Sequence, residues 1–256
     1  MANNNWTREE TIIAFNVYCK IPFKRSNKNN PTIIKYAKII GRSPSALNMK
    51  VGNIGRLDPE LKKQGIVGLS HGGKIEEEVW AEFNSNWEKL AYESELLIAK
   101  FSKKSIEEST QISIEENEIP LGLERTSIVK QRVNQGFFRS AILSAYNEKC
   151  CISGLPIKEL LIASHIIPWA KDTKNRLNPR NGLCLNSIYD KAFDRGLLTI
   201  TTNYRVKISS YLDRFNSEES VIRFFKKYED KEIVLPDKFL PSKEFLDYHN
   251  KNIFIQ

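Results

Sequence analysis

Four polar side chains in the second half of the sequence have types and spacing suited to proton transfer and metal binding. His165 lies in the apolar run IASHIIPW, Asn181 opens the later run NGLCLNS, and Asp190 and Asp194 are four residues apart in IYDKAFDRG. Histidine can take a proton from water near neutral pH. Carboxylates four apart project from one helix face and offer hard oxygen ligands for Mg²⁺ or Mn²⁺. A lone histidine in an apolar strand is more often a core residue, and the three partners are what favour a catalytic site.

The elements that must position these residues can be predicted from the surrounding pattern. The run LLIASHII is apolar and ends at Pro168, so it predicts a strand with His165 near its end. A polar loop, PWAKDTKNRLNPR, leads to a short second strand that begins at Asn181. The segment IYDKAFDRG predicts about two helical turns that end at Gly196. The order strand, loop, strand, helix is a ββα unit.

The same residues resemble a known family. The patterns CxISG, IASHIIPW, NPRNGLCL and YDKAFDRGL look like an HNH nuclease domain, which is of the ββα-metal class, and in particular its bacterial restriction endonuclease branch. The resemblance covers roughly residues 125 to 200. It implies hydrolysis of DNA phosphodiester bonds, with His165, Asn181 and Asp190 as the motif residues. Hydrolysis of that kind needs an activated water and a cation on the phosphate, which these residue types can supply.

The resemblance also implies particular roles. Asp190 would bind Mg²⁺ or Mn²⁺, and Asn181 would fix the loop by hydrogen bonds and so hold His165 in line. Ser164 stands where many members have a metal-binding acid, so it enters the candidate metal site together with Asp194, the best substitute by geometry. Tyr189 lies where some relatives have histidine and is expected to be a wall or hydrogen-bonding residue. Cationic side chains around this site are expected to bind flanking phosphates. They are Lys171, Lys174, Arg176, Arg180, Lys191 and Arg195.

The first 60 residues predict a helical region. Thr7 and Glu10 form a capping box before a helix over about 7–18. Pro31 starts a second helix, Gly41 breaks it, and Ser43 caps a third, which is the order of a helix-turn-helix unit. We expect Arg42, Asn48 and Lys50, with Asn53 nearby, to contact DNA. A plain helical hairpin with a solvated basic face is the alternative. This region also resembles, less closely, an extension found on HNH proteins.

The distribution of charge predicts the domain organisation. Residues 1–74 carry 13 Lys and Arg against 4 Asp and Glu, residues 75–119 carry 4 against 12, and residues 120–256 carry 22 against 15. Two basic modules flanking an acidic spacer favour a polyanionic partner. A helix is predicted over about 75–99. We therefore predict a helical DNA-binding domain over 1–99, an acidic linker over 100–124 and a nuclease domain over 125–256.

Other function classes find little support in the sequence. No apolar run approaches a membrane span and the start MANNNWTREE has no signal pattern, so a cytoplasmic protein without membrane contact is expected. Cys150, Cys151 and Cys184 form no CxxC pair, which argues against structural zinc. A hairpin turning at Thr202 and Asn203 is predicted after the ββα unit. His249 has no partner pattern and receives no role.

The sequence thus predicts an α+β protein with an N-terminal helix-turn-helix-like domain and a C-terminal ββα-metal HNH nuclease domain. The expected function is a metal-dependent DNA endonuclease in restriction or defence against phage. One ββα unit cuts one strand, so cleavage of both strands favours a homodimer. Two alternatives stay open: a DNA-binding regulatory protein whose nuclease unit is degenerate, which the serine at position 164 favours, and a nicking or phage-type endonuclease.

Overall fold

The chain forms two compact units, Met1–Ser144 and Ala145–Gln256, in a computed structural model that describes residues 5–66, 73–110 and 123–256. The protein combines helices with two small antiparallel sheets, which confirms the predicted α+β class. The predicted linker over 100–124 lies partly outside the described residues. The boundary between the units follows Ser144, some twenty residues after the predicted linker. The helix that follows the linker belongs to the first unit, where Ser144 Oγ donates a hydrogen bond to the Cys19 carbonyl.

The described part of the N-terminal unit contains helices and no strand. The helices are α1 (Arg8–Lys20), α2 (Pro31–Ile39), α3 (Pro44–Gly55), α4 (Pro59–Lys63), α5 (Lys74–Phe83), α6 (Trp87–Ser102), α7 (Ile106–Thr110) and α8 (Leu123–Ala145).

Helix α1 is the central element of this unit. The predicted capping box is present, with Thr7 accepting from the Glu10 backbone N–H and Glu10 accepting from that of Thr7. Every residue from Glu10 to Cys19 is buried, and α2, α3, α5 and α6 all contact the helix. A helix buried on all sides places polar groups in the core, so those groups need partners there.

The predicted pair of helices around Gly41 is confirmed as α2 and α3. Gly41 has a backbone φ of 68°, the left-handed conformation that glycine adopts most easily. Ser43 then caps α3 by accepting from the Ala46 backbone N–H. The prediction of one helix over 75–99 was wrong in one respect: the segment is two helices, α5 and α6, because Asn86 between them N-caps the second through the Lys89 backbone N–H.

The C-terminal unit contains the predicted ββα arrangement and a second hairpin. Its strands are β1 (Leu161–His165), β2 (Gly182–Asn186), β3 (Leu198–Ile200) and β4 (Val206–Ile208), and its helices are α9 (Ser187–Asp194), α10 (Glu219–Phe224) and α11 (Lys243–Asn252). Strands β1 and β2 pair antiparallel, as do β3 and β4. The second pair confirms the predicted hairpin. Helix α9 packs against β1, β2 and β3, so it is held by both sheets.

Candidate functional site

Strand pairing brings the first two candidate residues together. In the β1–β2 register His165 lies opposite Gly182, the residue directly after Asn181. The Ile166 backbone N–H donates to the Asn181 carbonyl at 3.0 Å and continues the pairing past the strand end. The loop of residues 166–181 therefore connects the end of β1 to the adjacent start of β2. His165 and Asn181 lie at the two ends of this loop.

Asn181 is fully buried and its amide closes this loop. Its Oδ1 accepts from the Ile167 backbone N–H at 2.8 Å, and its Nδ2 donates to the carbonyls of Ile167 at 3.2 Å and Asn175 at 3.3 Å. One buried side chain thus pairs with three backbone groups of the loop. These bonds are of the kind that the family resemblance implies, since they set where the chain leaves β1 just after His165.

The imidazole of His165 is oriented by the same loop. Its Nε2 lies 2.9 Å from the Arg176 carbonyl, to which a ring nitrogen can only donate. The neutral ring therefore carries its lone pair on Nδ1, the nitrogen suited to accept a proton from water. The ring of Trp169 meets the imidazole edge to face, with centroids 5.5 Å apart.

Arg176 and Trp169 form a clamp around His165, and the sequence patterns did not indicate it. Arg176 Nε donates to the Trp169 carbonyl at 2.8 Å, and the Arg176 guanidinium lies 5.1 Å from the centre of the Trp169 ring. Part of the Arg176 guanidinium therefore serves the loop, and its role as a phosphate-binding cation stays a prediction. One feature of the sequence could have indicated this clamp: a tryptophan, Trp169, follows the proline at the end of the predicted strand.

On balance, the surroundings of His165 favour its neutral form. Burial lowers the pKa of His165 below its ordinary value, while the bond to the Arg176 carbonyl and the nearby charge of Asp190 raise it in part. The neutral form is the one that accepts a proton, so burial here favours a general base.

Helix α9 presents the two carboxylates. Asn186 N-caps it by accepting from the backbone N–H groups of Ile188 and Tyr189. Its buried face consists of Tyr189, Ala192 and Phe193, so Asp190 and Asp194 lie on the other side. Partial burial raises the pKa of the Asp194 carboxyl, and the nearby negative charge of Asp190 raises it further, while Lys191 and Arg195 lower it. The two carboxylates are thus close enough to repel each other.

The donor set suits a hydrated divalent cation. Within the described residues no group of three or more His, Cys, Asp and Glu side chains could hold a metal ion. Mg²⁺ is commonly bound through one or two carboxylates, with water and substrate phosphate as the remaining ligands. Asp190 and Asp194 fit that pattern, since a cation between them would relieve their mutual repulsion. Such a cation supplies charge to stabilise the phosphate and the leaving oxygen.

Ser164 does not fit its predicted place among the metal ligands. It is 2% exposed, and its Oγ has no hydrogen-bond partner among the residues that the structure describes. Adjacent residues of a strand project to opposite faces, so Ser164 and His165 point away from each other. The structure therefore argues against Ser164 as a ligand for an ion bound beside His165.

Tyr189 is a buried wall residue. It is packed edge to face against Phe225 and Tyr228, and burial together with the Tyr228 hydroxyl raises its pKa. This agrees with the expected wall or hydrogen-bonding role. Cys150, Cys151 and Cys184 are buried, which agrees with small apolar core residues.

Exposed cations surround the candidate centre. Lys171, Lys174, Lys191 and Arg195 are all exposed, and within the described part of the chain none of them forms an ion pair with a carboxylate. Arg180 is half-buried in the turn that precedes β2. Cations without carboxylate partners are suited to bind phosphates, so four of the six predicted contacts are accessible.

The structure corrects the DNA contacts predicted in the N-terminal unit. Lys50 is 6% exposed, and its Nζ pairs with Glu76 Oε1 at 2.7 Å. Arg42 pairs with the buried Glu10 at 2.8 Å, and both cations lie over the ring of Trp6. Asn48 Oδ1 accepts from the Ser26 hydroxyl, and Asn53 Nδ2 donates to Glu76. Lys50 cannot reach a phosphate without leaving the Glu76 carboxylate without its cation, and its burial also differs from the alternative of a solvated basic face.

His249, which the sequence gave no role, joins α11 to the nuclease helix. It is buried, its Nε2 donates to the Phe193 carbonyl at 3.2 Å, and its Nδ1 accepts from the Thr199 hydroxyl at 2.8 Å. The ring stacks on Phe193 with centroids 3.6 Å apart. Burial lowers the pKa of His249 to about 4. The contacts join residues fifty or more positions apart, so no local pattern could have shown them.

The C-terminal unit thus has an oriented histidine at the end of β1 and two carboxylates on α9, in the order of elements that the sequence predicted for a ββα-metal domain. Residues 150–201 match the family model described as HNH endonuclease, which supports assigning this part of the chain to that family. The match contains all four candidate residues from His165 to Asp194. No curated protein shows a detectable match to the chain. In the described residues, no helix has the length and apolar character required to cross a membrane.

Proposed function

We propose that the protein is a metal-dependent DNA endonuclease in which His165 is the general base. The observation that carries this proposal is the orientation of His165, whose Nε2 is committed to the Arg176 carbonyl while Asp190 lies near enough to affect its pKa. A base with a fixed tautomer can activate the attacking water, and a carboxylate pair can hold a cation that stabilises the phosphate.

Each residue of the site would have a separate role in hydrolysis. His165 would take a proton from the attacking water at Nδ1, and the Arg176 carbonyl would stabilise the positive charge that the ring then carries. Asn181 would hold the loop so that the imidazole keeps its direction during the reaction. Asp190 and Asp194 would hold Mg²⁺ or Mn²⁺, with Mg²⁺ favoured by the all-oxygen donor set.

DNA would be bound through its phosphates. Lys171, Lys174, Lys191 and Arg195 are accessible to flanking phosphates, and contacts of this kind weaken as salt concentration rises. They position the duplex without reading its sequence. One ββα unit cuts one strand, so a homodimer acting on both strands is part of the proposal, as is a role in restriction or phage defence inside the cell.

One observation favours a second candidate function. The described residues contain no group of three metal-binding side chains, and the acid expected at position 164 is a serine. A DNA-binding regulatory protein with a degenerate nuclease unit would have such a site. A nicking or phage-type endonuclease would share the first site and differ only in its product.

Purified protein incubated with supercoiled plasmid in Mg²⁺, Mn²⁺ or EDTA tests the proposal. Wild type should convert the plasmid to nicked or linear DNA with metal and leave it intact in EDTA. His165→Ala should cut about 10²- to 10⁴-fold more slowly, which is the range for loss of a general base. Asp190→Ala should also lose cleavage, and the matched control Asp247→Ala, on the exposed side of α11, should retain it.

The outcomes separate the candidates. Cleavage by His165→Ala at the wild-type rate would remove that residue from the mechanism. DNA binding without cleavage in any metal would favour the regulatory protein. Nicked plasmid that never becomes linear, at any protein concentration, would favour a nicking enzyme over the homodimer.

A further inference from the structure

A groove beside the nuclease helix is not used by the proposed chemistry. We call it the α9 groove. It has a volume of about 880 Å³, within the range of about 300–1,000 Å³ typical of ligand sites. It is lined by Ser153, Gly154, Leu155, Pro156, Leu160, Asn186, Ser187, Ile188, Tyr189, Arg223, Phe224, Lys227 and Tyr228.

The walls of the α9 groove are aromatic and apolar. Phe224 is 48% exposed and Ile188 is 47% exposed, and they share the groove with Tyr189 and Tyr228. Large apolar side chains left exposed side by side in a concavity mark a binding surface more often than chance exposure does. Aromatic walls in particular offer flat faces on which another flat ring can stack.

The charge of the α9 groove selects for an anion. Arg223 and Lys227 are among its lining residues, which include no Asp or Glu within the described part of the chain. Arg223 pairs with Glu219 one helical turn away, where both side chains are well exposed, and such a pair contributes little stability and exchanges readily. Lys227 lies 5.4 Å from the centre of the Tyr228 ring. Two cations next to stacking faces suit a ligand that combines a ring with a phosphate.

The floor of the α9 groove adds polar groups near the start of α9. Asn186 Nδ2 donates to Ser153 Oγ, so both side chains are held in place. Ser187 is exposed beside them. Hydroxyl and amide groups at the base of an aromatic cleft can form hydrogen bonds with the edge of a ring that enters it.

The position of the α9 groove connects it with the candidate nuclease centre. Ile188 and Asp190 lie on the same helix, about 3 Å apart along its axis at 1.5 Å per residue. They project from different sides of that helix. A strand of DNA that crosses α9 could therefore place one nucleotide in the groove and a phosphodiester a short distance away at the centre.

We propose that the α9 groove binds an unpaired nucleotide of the DNA substrate, with its base against Phe224 and Tyr228 and its phosphates at Arg223 and Lys227. This rests on the proposed function as a DNA nuclease and names its substrate class: DNA with single-stranded or unpaired nucleotides is preferred over a fully paired duplex. Bases inside a duplex are stacked on each other and cannot reach such a wall without being extruded. Stacking on aromatic side chains tolerates any base, so no sequence preference is expected from this contact.

Binding in EDTA tests the groove independently of cleavage. The probes are a single strand, a paired duplex, and the same duplex with one unpaired 2-aminopurine, whose fluorescence falls when it stacks. Wild-type protein should bind the single strand and the unpaired site more tightly than the duplex and quench the 2-aminopurine. Phe224→Ala should weaken binding to the unpaired site about 5- to 150-fold, the range for loss of one base–aromatic stack.

The control variant is Ile222→Ala, since Ile222 lies on the same short helix, is 46% exposed and does not line the groove. It should bind and quench like wild type. Lys227→Gln should weaken binding and reduce its salt dependence while leaving the quenching at saturation unchanged. Circular dichroism of each variant shows whether it is folded, and Phe224→Leu provides a folded variant without the aromatic face.

Each contrary result has a distinct meaning. Equal affinity of wild type for duplex and unpaired probes, or equal affinity of Phe224→Ala and Ile222→Ala for the unpaired site, would overturn the groove proposal. If Phe224→Ala changed the mass of the protein in solution and left DNA affinity intact, the occupant would be a second copy of the chain. If the protein still cleaved plasmid in that case, the proposed nuclease function would be unaffected. If the protein cleaved no plasmid but still quenched the 2-aminopurine, the groove proposal would be unaffected.

Discussion

The two units use the same kinds of cationic side chain for different purposes. In the N-terminal unit, Lys50 and Arg42 are paired with Glu76 and Glu10. In the C-terminal unit, Lys191 and Arg195 are exposed near Asp194 and form no ion pair at contact distance with a carboxylate of the described residues. The N-terminal cations are therefore held by buried carboxylates, whereas the C-terminal cations remain accessible to solvent. The following predictions test that difference, from the largest expected effect to the smallest.

Loss of the buried pair in the N-terminal unit should have the largest effect. Lys50→Ala leaves Glu76, which is 1% exposed, without its partner, so the free energy of unfolding should fall by about 3–5 kcal/mol. Chemical denaturation monitored by circular dichroism measures the change. In the double variant Lys50→Met with Glu76→Leu, most of that loss should be absent, because no buried charge remains. A Lys50→Ala protein as stable as wild type would show that the pair is not structural.

The stability of the C-terminal unit should depend on His249. Its folded pKa of about 4 is below the ordinary value of 6.5, so the unfolded chain binds a proton that the folded chain excludes. The contribution of His249 to the free energy of unfolding is fully present above about pH 6.5. It falls by about 3 kcal/mol as the pH is lowered towards 4. Thermal unfolding between pH 7.5 and 4 measures this. His249→Gln should be less stable at pH 7 and should show a smaller decline, and an unchanged decline would assign the effect to other groups.

Arg176 should behave as a positioning residue, unlike the exposed cations around it. Arg176→Met removes the guanidinium from Trp169 while keeping the carbonyl that holds His165, so kcat should fall about 10- to 100-fold with little change in KM. Steady-state kinetics on a short DNA substrate distinguishes the two constants. A rise in KM with unchanged kcat would instead assign Arg176 to phosphate binding, as the sequence predicted.

The exposed cations should contribute affinity without stability. Lys191→Gln and Arg195→Gln should each change the free energy of unfolding by less than about 0.5 kcal/mol. Each should weaken DNA binding and reduce the slope of log affinity against log salt by about one. Titrations in EDTA at several salt concentrations measure the slope. The control is Lys103→Gln, which changes an exposed lysine in the other unit. If the Lys191 and Arg195 variants had the same salt slope as this control, neither residue would belong to the DNA interface.

Much of the local structure followed from neighbouring residues in the chain. The capping box at Thr7, the glycine break at Gly41 and the hairpin turn after Ile200 each depend on a few adjacent side chains, and all three are present. The single helix predicted over 75–99 failed for a related reason. Its apolar period continues through the break, whereas the cap that interrupts it depends on the one side chain of Asn86.

The ββα unit shows where prediction of the site stopped. The spacing of His165, Asn181, Asp190 and Asp194 indicated which residues belong together, and the family match includes all of them. Which imidazole nitrogen carries the proton could not be predicted, because it depends on the Arg176 carbonyl, eleven residues away in a loop of no regular structure. Burial of Ser164 likewise depends on the packing around β1, which local patterns do not show.

The sequence by itself determined the α+β class, the order of the ββα elements and the residue types of the candidate centre, since these depend on local propensity and on spacing along the chain. Only the tertiary structure decided which side chains are buried against partners and which remain exposed. Lys50 meets a carboxylate from another helix, His249 is buried against Phe193, and Phe224 stays exposed beside α9. The physical reason is that the free energy of a charged or polar group depends on the partners and solvent around it, and folding brings those partners from distant parts of the chain.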